Sequence, residues 1–345
     1  MKSTHQSLAS ATVAVLSGGC SSEREISLSS GAAVAAALRD AGDGRGPARV
    51  LEVEITASGA WRLAGEEQAA EEALARLPRE VVFFLALHGG AGEDGTLQGL
   101  LAACGRRHTG SGVAASALCM TKSWTRAVLA QAGLAVAPGR TVDARAWDAH
   151  RERELAACRA LSSTGLAVKP DRGGSSVATS VLESAAGLER AIEAVLAIGD
   201  RALVEARVLG SECTVGVLGG RAAARALTPV EIVPKAGRFF DYQEKYSAAG
   251  ASEHCPPLSI DAATCARLRD LALRAHEAAG CCGYSRVDFI VPAAGGEPVV
   301  LEINTLPGMT ARSLLPLAAR DAGLSFRELC LAIVALALAG PEARP

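Results

Sequence analysis

Glu302 and Asn304 stand two residues apart in LEINTLPGMT, residues 301–310. In an extended strand that spacing turns both side chains to one face. An earlier run, YSRVDFIV, carries Arg286 and Asp288 at the same spacing. The segment PAAGGEP between the runs predicts a hairpin turn. Strand pairing would then gather all four side chains. Two carboxylates and an amide oxygen suit a hard cation such as Mg2+, which takes oxygen ligands and completes its shell from phosphate. Arg286 beside them would clamp an anion. A solvated strand face with a salt bridge is the competing reading. The alternate residues Val287, Phe289, Leu301 and Ile303 put the opposite face of the hairpin in the core.

DRGGSSVAT supplies a second group. Its glycines and serines form a loop whose N–H groups can wrap phosphate. Lys169, at the end of the preceding strand, adds a point charge for that anion. The loop lacks the G-x-x-x-x-G-K-[ST] pattern, and a plain hairpin turn is the alternative. A third group lies in LALHGGAGEDGTLQG. His88 directly follows a strand, at the edge where open α/β sheets bind ligands. Glu93 and Asp94 read either as an acid/base pair or, better, as charges at the N-terminus of the helix GTLQGLLAAC.

The elements that must hold these residues alternate. A strand over 12–16 leads through a glycine turn into a helix with capping-box spacing at Ser22 and Glu25 and a stop at Gly42. Strands over 49–55 and 81–87 follow, so the first domain reads as parallel α/β and ends near 111–115. A helix over 121–133, strands over 165–170, 180–182 and 202–205, and a helix over 185–198 predict a second, α+β unit. Strands over 213–218 and 227–233 open a third unit. A polar loop, PKAGRFFDYQEKYSAAGASEHC, a helix over 262–279 and the hairpin complete it.

A chain of 345 residues suits two or three domains. Net charge of −2 gives no electrostatic reason for a nucleic-acid or anionic membrane partner, and 3% aromatics leaves few stacking platforms. The ten cysteines are irregularly spaced, without a C-x-x-C pair, and read as small buried thiols rather than a zinc site or disulfide framework. The opening MKSTHQSLAS has no apolar core of a secretory signal. The apolar run CLAIVALALAG is too short to span a bilayer and follows a helix-start box at Ser325 and Glu328. A cytoplasmic protein is expected.

SGGCSSEREISLSSG, ALHGGAGEDGTLQG, HTGSGVAASALCMTK, VKPDRGGSSV, YQEKYS, RVDF and LEINTLPGMTARSLLP occur in this order from about residue 13 to 329. The chain thereby resembles the D-alanine–D-alanine ligases of the ATP-grasp superfamily over essentially its whole length. The resemblance implies a three-domain ATP-grasp fold of α/β and α+β units. An N-terminal parallel α/β substrate-binding domain would span 1–115. A central subdomain over 116–206 would carry the Gly/Ser phosphate loop. A C-terminal subdomain over 207–345 would carry the metal site and a polar lid loop. The implied reaction joins two D-alanine molecules through a D-alanyl phosphate for peptidoglycan precursor synthesis. It uses ATP and two Mg2+ (or Mn2+), in a homodimer.

The family's roles map onto matching positions. Glu23 would hold the ammonium of the first D-alanine, with His88 and Arg286 near its carboxylate and the reaction centre. Lys122 and Lys169 would contact ATP phosphates, joined by Ser176 and Lys245. Glu205 would lie at the adenine hinge and Glu212 on the ribose hydroxyls. Ser175 and Tyr246 would join Glu23 in a hydrogen-bonded group that closes the site. Asp288, Glu302 and Asn304 would bind metal, the Gly308 N–H would stabilise an oxyanion, and Ser313 would bind the second substrate's carboxylate. Three positions depart from the family's pattern: Gly173 where Glu is common, Ala178 where Gly is common, and Ala206 where many members carry Lys. The alternatives are a D-alanine–D-lactate or D-alanine–D-serine ligase of the same family and, in another class, a non-catalytic nucleotide-binding regulatory protein.

Tyr246 generates a prediction about the second substrate. In the family, Tyr at this loop position accompanies peptide products, whereas depsipeptide makers carry Phe or His. Attack requires a neutral amine, which competes with its ammonium form, while the hydroxyl of D-lactate has no such penalty. A Tyr hydroxyl bonded to Ser175 and Glu23 would order the pocket that receives the amine. With D-alanine and D-lactate both present, Tyr246→Phe is expected to raise the D-lactate share, most at low pH. Product ratios from about pH 6 to 9 check this, across the range where the amine becomes neutral. Equal ratios in both proteins would remove Tyr246 from specificity.

Overall fold

Runs that read as unbroken apolar stretches form the centre of the first of three sheets. The computed structural model describes residues 8–40, 44–173, 178–220, 223–234 and 251–339. Gly42, Ser175, Ser176, Lys245 and Tyr246 lie outside the described residues.

The first sheet contains β1 (Thr12–Gly18), β2 (Arg49–Ile55), β3 (Trp61–Leu63), β4 (Glu66–Gln68), β5 (Val82–Leu85) and β6 (Arg107–His108), in the order β4-β3-β2-β1-β5-β6. Strand β1 lies parallel between β2 and β5, and β6 runs parallel to β5. Val13, Val15, Val82 and Phe83 are wholly or almost wholly buried. The expected parallel sheet holds for this centre only. Strands β3 and β4 extend it antiparallel, because residues 56–60 form a tight turn in which Thr56 N–H donates to Ala60 O at 2.7 Å.

The helix Arg24–Arg39 packs on this sheet through Val34, Ala35 and Leu38. Its expected capping box at Ser22 and Glu25 does not form. Glu23 occupies the N-cap without a side-chain cap bond. The hydroxyl in use is that of Ser21, which donates to His88 O at 2.6 Å and accepts from Glu23 N–H at 3.2 Å. The turn thus serves a tertiary contact rather than the helix end. The last helix, Phe326–Leu338, begins with the expected reciprocal box of Ser325 and Glu328 and buries Ile333 and Val334 in the same core.

The second sheet contains β7 (Gly139–Val142), β8 (Leu166–Pro170), β9 (Ser180–Leu182) and β10 (Ala202–Ala206), all antiparallel in the order β7-β10-β8-β9. Helices Ala144–Arg159 and Leu188–Ala197 pack on it around Trp147, Leu155, Val168 and Ile192. Ala178, in the arm leading into β9, has φ +54. That left-handed conformation favours the glycine common at this position in the family.

The third sheet contains β11 (Gly210–Leu218), β12 (Arg225–Ala226), β13 (Val230–Val233), β14 (Ser252–His254), β15 (Tyr284–Pro292) and β16 (Val299–Asn304). Its main order is β14-β13-β11-β15-β16, antiparallel throughout, with β12 beside β11. Strand β14 falls at the end of the expected polar loop and continues the sheet. The helix Ala262–Ala278 covers it, capped by Asp261, which accepts from Thr264 N–H at 2.7 Å. Tyr284 is fully buried and donates its hydroxyl to Leu85 O at 3.3 Å, which ties β15 to the first sheet. All ten cysteines are free thiols; Cys20 and Cys104 are exposed and Cys255 and Cys265 half-buried, so the expectation of buried thiols fails at these four.

His276 on the covering helix is 1% exposed, and its Nδ1 lies 2.7 Å from Ser285 Oγ. Burial pushes its pKa from the ordinary 6.5 down to about 4. The unfolded chain therefore binds this proton in a window where the folded chain does not. The contribution is fully present above pH 6.5 and falls as pH drops toward about 4. It amounts to about 3 kcal/mol at most. Urea unfolding at several pH values is expected to show a shallower acid loss in His276→Asn than in the parent. An identical slope would contradict this origin.

Candidate active site

The hairpin of β15 and β16 pairs Arg286 with Asn304 and Asp288 with Glu302. The four side chains expected on one face are thus adjacent in register. Asp288 is 6% exposed and sits in a bidentate pair with Arg286, Nε to Oδ1 at 2.8 Å and Nη2 to Oδ2 at 2.7 Å. Thr214 on β11 donates to Oδ1 at 2.5 Å. Val287, Phe289 and Ile303 fill the core on the other face, as expected. Leu301 does not. The register shifts between Asp288 and Phe289, so Leu301 is skipped at a bulge and remains half-buried.

Lys122 opens the helix Lys122–Gln131 and reaches across to this hairpin. Its ammonium donates to Gly173 O at 2.5 Å and lies 3.8 Å from Glu302 Oε2. Glu93, Met120, Lys122, Gly173, Glu302 and Asn304 line the resulting open cleft. Asp171, wholly buried, holds the start of the Gly/Ser loop against the helix. Its Oδ1 accepts from Ser123 N–H at 2.7 Å and its Oδ2 from Ser123 Oγ–H at 2.9 Å, while Arg201 pairs with Oδ2. The main chains also meet, Lys122 N–H donating to Asp171 O at 2.8 Å.

On the second sheet Lys169 donates to Glu205 Oε2 at 2.6 Å, and Arg126 pairs with Oε1 of the same carboxylate. Glu205, placed by resemblance at the adenine hinge, is therefore a buried anion between two cations. Glu212 lies on β11 in register with Ile290 and Ile232. Glu253 on β14 shares that row through Ile232. Burial pushes its carboxyl above the usual range, against the pull of Arg312 and Arg286.

The first sheet contributes the other wall. His88 follows β5, and its Nδ1 lies 3.9 Å from Glu93 Oε1. The other oxygen of Glu93 accepts from Gly89 N–H at 3.0 Å, so Glu93 closes the glycine turn instead of sitting at the helix N-terminus. Asp94 has that role, accepting from Thr96 N–H at 2.9 Å. Gly89 has φ +69, and a Cβ there would lie 2.7 Å from Glu23 Oε2. The carboxylate of Glu23 thus lies against the turn after His88. A Cβ on Gly308 would lie 2.7 Å from Ser313 Oγ, which accepts from Thr310 N–H at 3.0 Å.

Sequence reasoning missed Thr214, Asp171, Ser123, Arg126 and Glu253 and ranked Glu93 low. Glu93 had a usable signal, a carboxylate just after a histidine and a glycine run. Asp171 opens the DRGGSSVAT loop but is not a polar type that loop's phosphate reading uses, and Thr214, Ser123, Arg126 and Glu253 lie in strands or helices without a distinguishing pattern.

The oxygen donors fit a hard cation. Oδ1 of Asp288 accepts two hydrogen bonds and Oδ2 one, so Oδ2 retains acceptor capacity. Among the described residues Asn304 Oδ1 accepts from Leu306 N–H alone, at 3.0 Å. No group of three His, Cys, Asp or Glu side chains forms a metal cluster among the described residues. The donor set here is two carboxylates and an amide.

A family model described as the D-ala D-ala ligase C-terminus matches residues 128–335. A D-alanine–D-alanine ligase of Halalkalibacterium halodurans is 39% identical, covering 94% of this chain and 99% of that protein. Its counterpart in Desulforudis audaxviator is 43% identical, covering 94% and 98%. Among solved structures, the VanG D-Ala:D-Ser ligase of Enterococcus faecalis superposes with TM-score 0.79 at 30% identity, covering 95% of this chain and 99% of that one. The D-alanine–D-alanine ligase of Coxiella burnetii gives 0.78 at 28% identity, covering 96% and 94%. The chain belongs to the D-alanine–D-alanine ligase family.

Proposed function

We propose that this chain joins two D-alanine molecules while ATP is cleaved to ADP and phosphate, a step toward peptidoglycan precursors in the cytoplasm. The observation that carries the reading is the meeting of Lys122 with Glu302 and Asn304 in one cleft, on the hairpin where Arg286 and Asp288 pair opposite them, in a chain of this family. A carboxylate is a poor electrophile. One of its oxygens attacks the γ-phosphorus, the bond to the ADP oxygen breaks, and a D-alanyl phosphate forms. The amine of a second D-alanine attacks the carbonyl carbon, phosphate leaves, and the amine loses its proton.

This chain's residues would oppose the repulsion between carboxylate and triphosphate. Lys122 and Lys169 face the phosphates. Arg286, fixed by Asp288, presents positive charge to the reacting carboxyl and, with the Gly308 N–H, to the oxyanion that follows. Glu23 holds the first ammonium and Ser313 the second carboxylate. Mg2+ held by Asp288, Glu302 and Asn304 would neutralise phosphate charge.

D-serine as second substrate is a second reading, motivated by likeness to a D-Ala:D-Ser ligase. ADP release measured with D-alanine alone, and with D-serine or D-lactate added, separates these. D-Alanine alone is expected to support full turnover. Absence of D-alanine-dependent ADP release would indicate a nucleotide-binding protein instead.

Glu302→Gln is expected to lower kcat by roughly 100-fold or more with the thermal midpoint preserved. Parent-like turnover at saturating Mg2+ would reject the metal assignment. Asp171→Asn removes a charge that sets Lys122 against the loop. KM for ATP should rise by about 10-fold and stability fall by about 1–3 kcal/mol. An unchanged KM for ATP would leave Asp171 a purely structural residue.

A further inference from the structure

Ser30 lies in the middle of the helix Arg24–Arg39 and is wholly buried. Its hydroxyl makes two contacts that no helix requires. Oγ lies 3.0 Å from His88 Nε2, and Met309 N–H donates to the same Oγ at 3.4 Å. Three distant parts of the chain therefore meet at one oxygen: the first helix, the end of β5, and the turn after β16. That turn contains Gly308, the neighbour of Met309.

The proton count at this oxygen is informative. A serine hydroxyl has one hydrogen to donate and two lone pairs to receive. The Met309 N–H uses a lone pair. The hydroxyl hydrogen needs an acceptor, and His88 Nε2 is the acceptor beside it among the described residues. Nε2 then carries no proton, so the neutral imidazole keeps its hydrogen on Nδ1. That nitrogen faces Glu93 Oε1 at 3.9 Å, a carboxylate fixed through its other oxygen by Gly89 N–H. The order is consistent along its length, from Met309 N–H to Ser30 O–H to His88 Nε2, with Nδ1–H toward Glu93.

We infer that Ser30 is a positioning residue. It fixes the tautomer and orientation of His88 and the place of the Gly308–Met309 turn with the same hydroxyl. The groups proposed to face the first substrate's carboxyl and the oxyanion are thereby held in one spatial register. The kinetic consequence rests on the function proposed above; the tautomer does not.

The test uses the full chain labelled with [15N]histidine, at about pH 8.5 so that imidazole is neutral. The chain has six histidines, and His88 is assigned by the signals lost in His88→Gln. The parent is expected to show His88 protonated at Nδ1 and bare at Nε2. Ser30→Ala should shift the ring toward the Nε2–H form. Its kcat should fall on the order of 10-fold, with KM for ATP unchanged, because the nucleotide-facing lysines lie on other elements. A parent ring protonated at Nε2, or a Ser30→Ala protein with the parent's tautomer and kcat, would overturn the inference. If Ser30→Ala does not fold, the parent tautomer decides alone. A parent without D-alanine-dependent ADP release would defeat the proposed function and leave the tautomer test standing.

Discussion

The pairing of β15 with β16 is the constraint on which the site depends. It sets Asp288 opposite Glu302 and Arg286 opposite Asn304. Because side chains alternate along a strand, a slip of β16 by one residue against β15 would turn Glu302 and Asn304 into the core and Ile303 into the cleft. Burial of Val287, Phe289 and Ile303 on the opposite face opposes that slip. The metal-ligand chemistry proposed here is thus held in register by hydrophobic packing behind it. The bulge at Leu301 is local and falls beyond the Asp288–Glu302 pair.

Around that hairpin the charged groups are already partnered. Arg286 is fixed by Asp288, Lys122 by Gly173 O, and Lys169 by Glu205, which Arg126 also holds. Such pairing lowers the reorganisation needed when anions arrive. The walls come from three sheets. Tyr284 joins the third sheet to the first, and Asp171 joins the helix carrying Lys122 to the second.

Much of this was legible in the sequence where periodicity or capping chemistry is strong. The hairpin, the strand over Arg49–Ile55, the helix Ala262–Ala278 and the Ser325–Glu328 box all announce themselves. Short or charged elements did not. Strands β3 and β4 are three residues each and too brief for alternation to register. The helix Ala144–Arg159 is dense in charge, and its one clear mark is the Asp143 cap, which accepts from Ala146 N–H at 2.8 Å. In the site, motif residues such as His88 and Glu302 stood out by type. Ser30 and Asp171 did not, because their importance arises only when distant segments fold onto them.

In the function proposed above, this cleft activates a carboxyl group by phosphoryl transfer. Turnover of D-alanine labelled with 18O in its carboxyl group tests it most directly. Inorganic phosphate is expected to acquire an oxygen from the D-alanine carboxylate, because the C–O bond to phosphate breaks when the amine attacks. Turnover that releases phosphate free of the label would contradict a D-alanyl phosphate intermediate and, with it, the role assigned to this face of the hairpin.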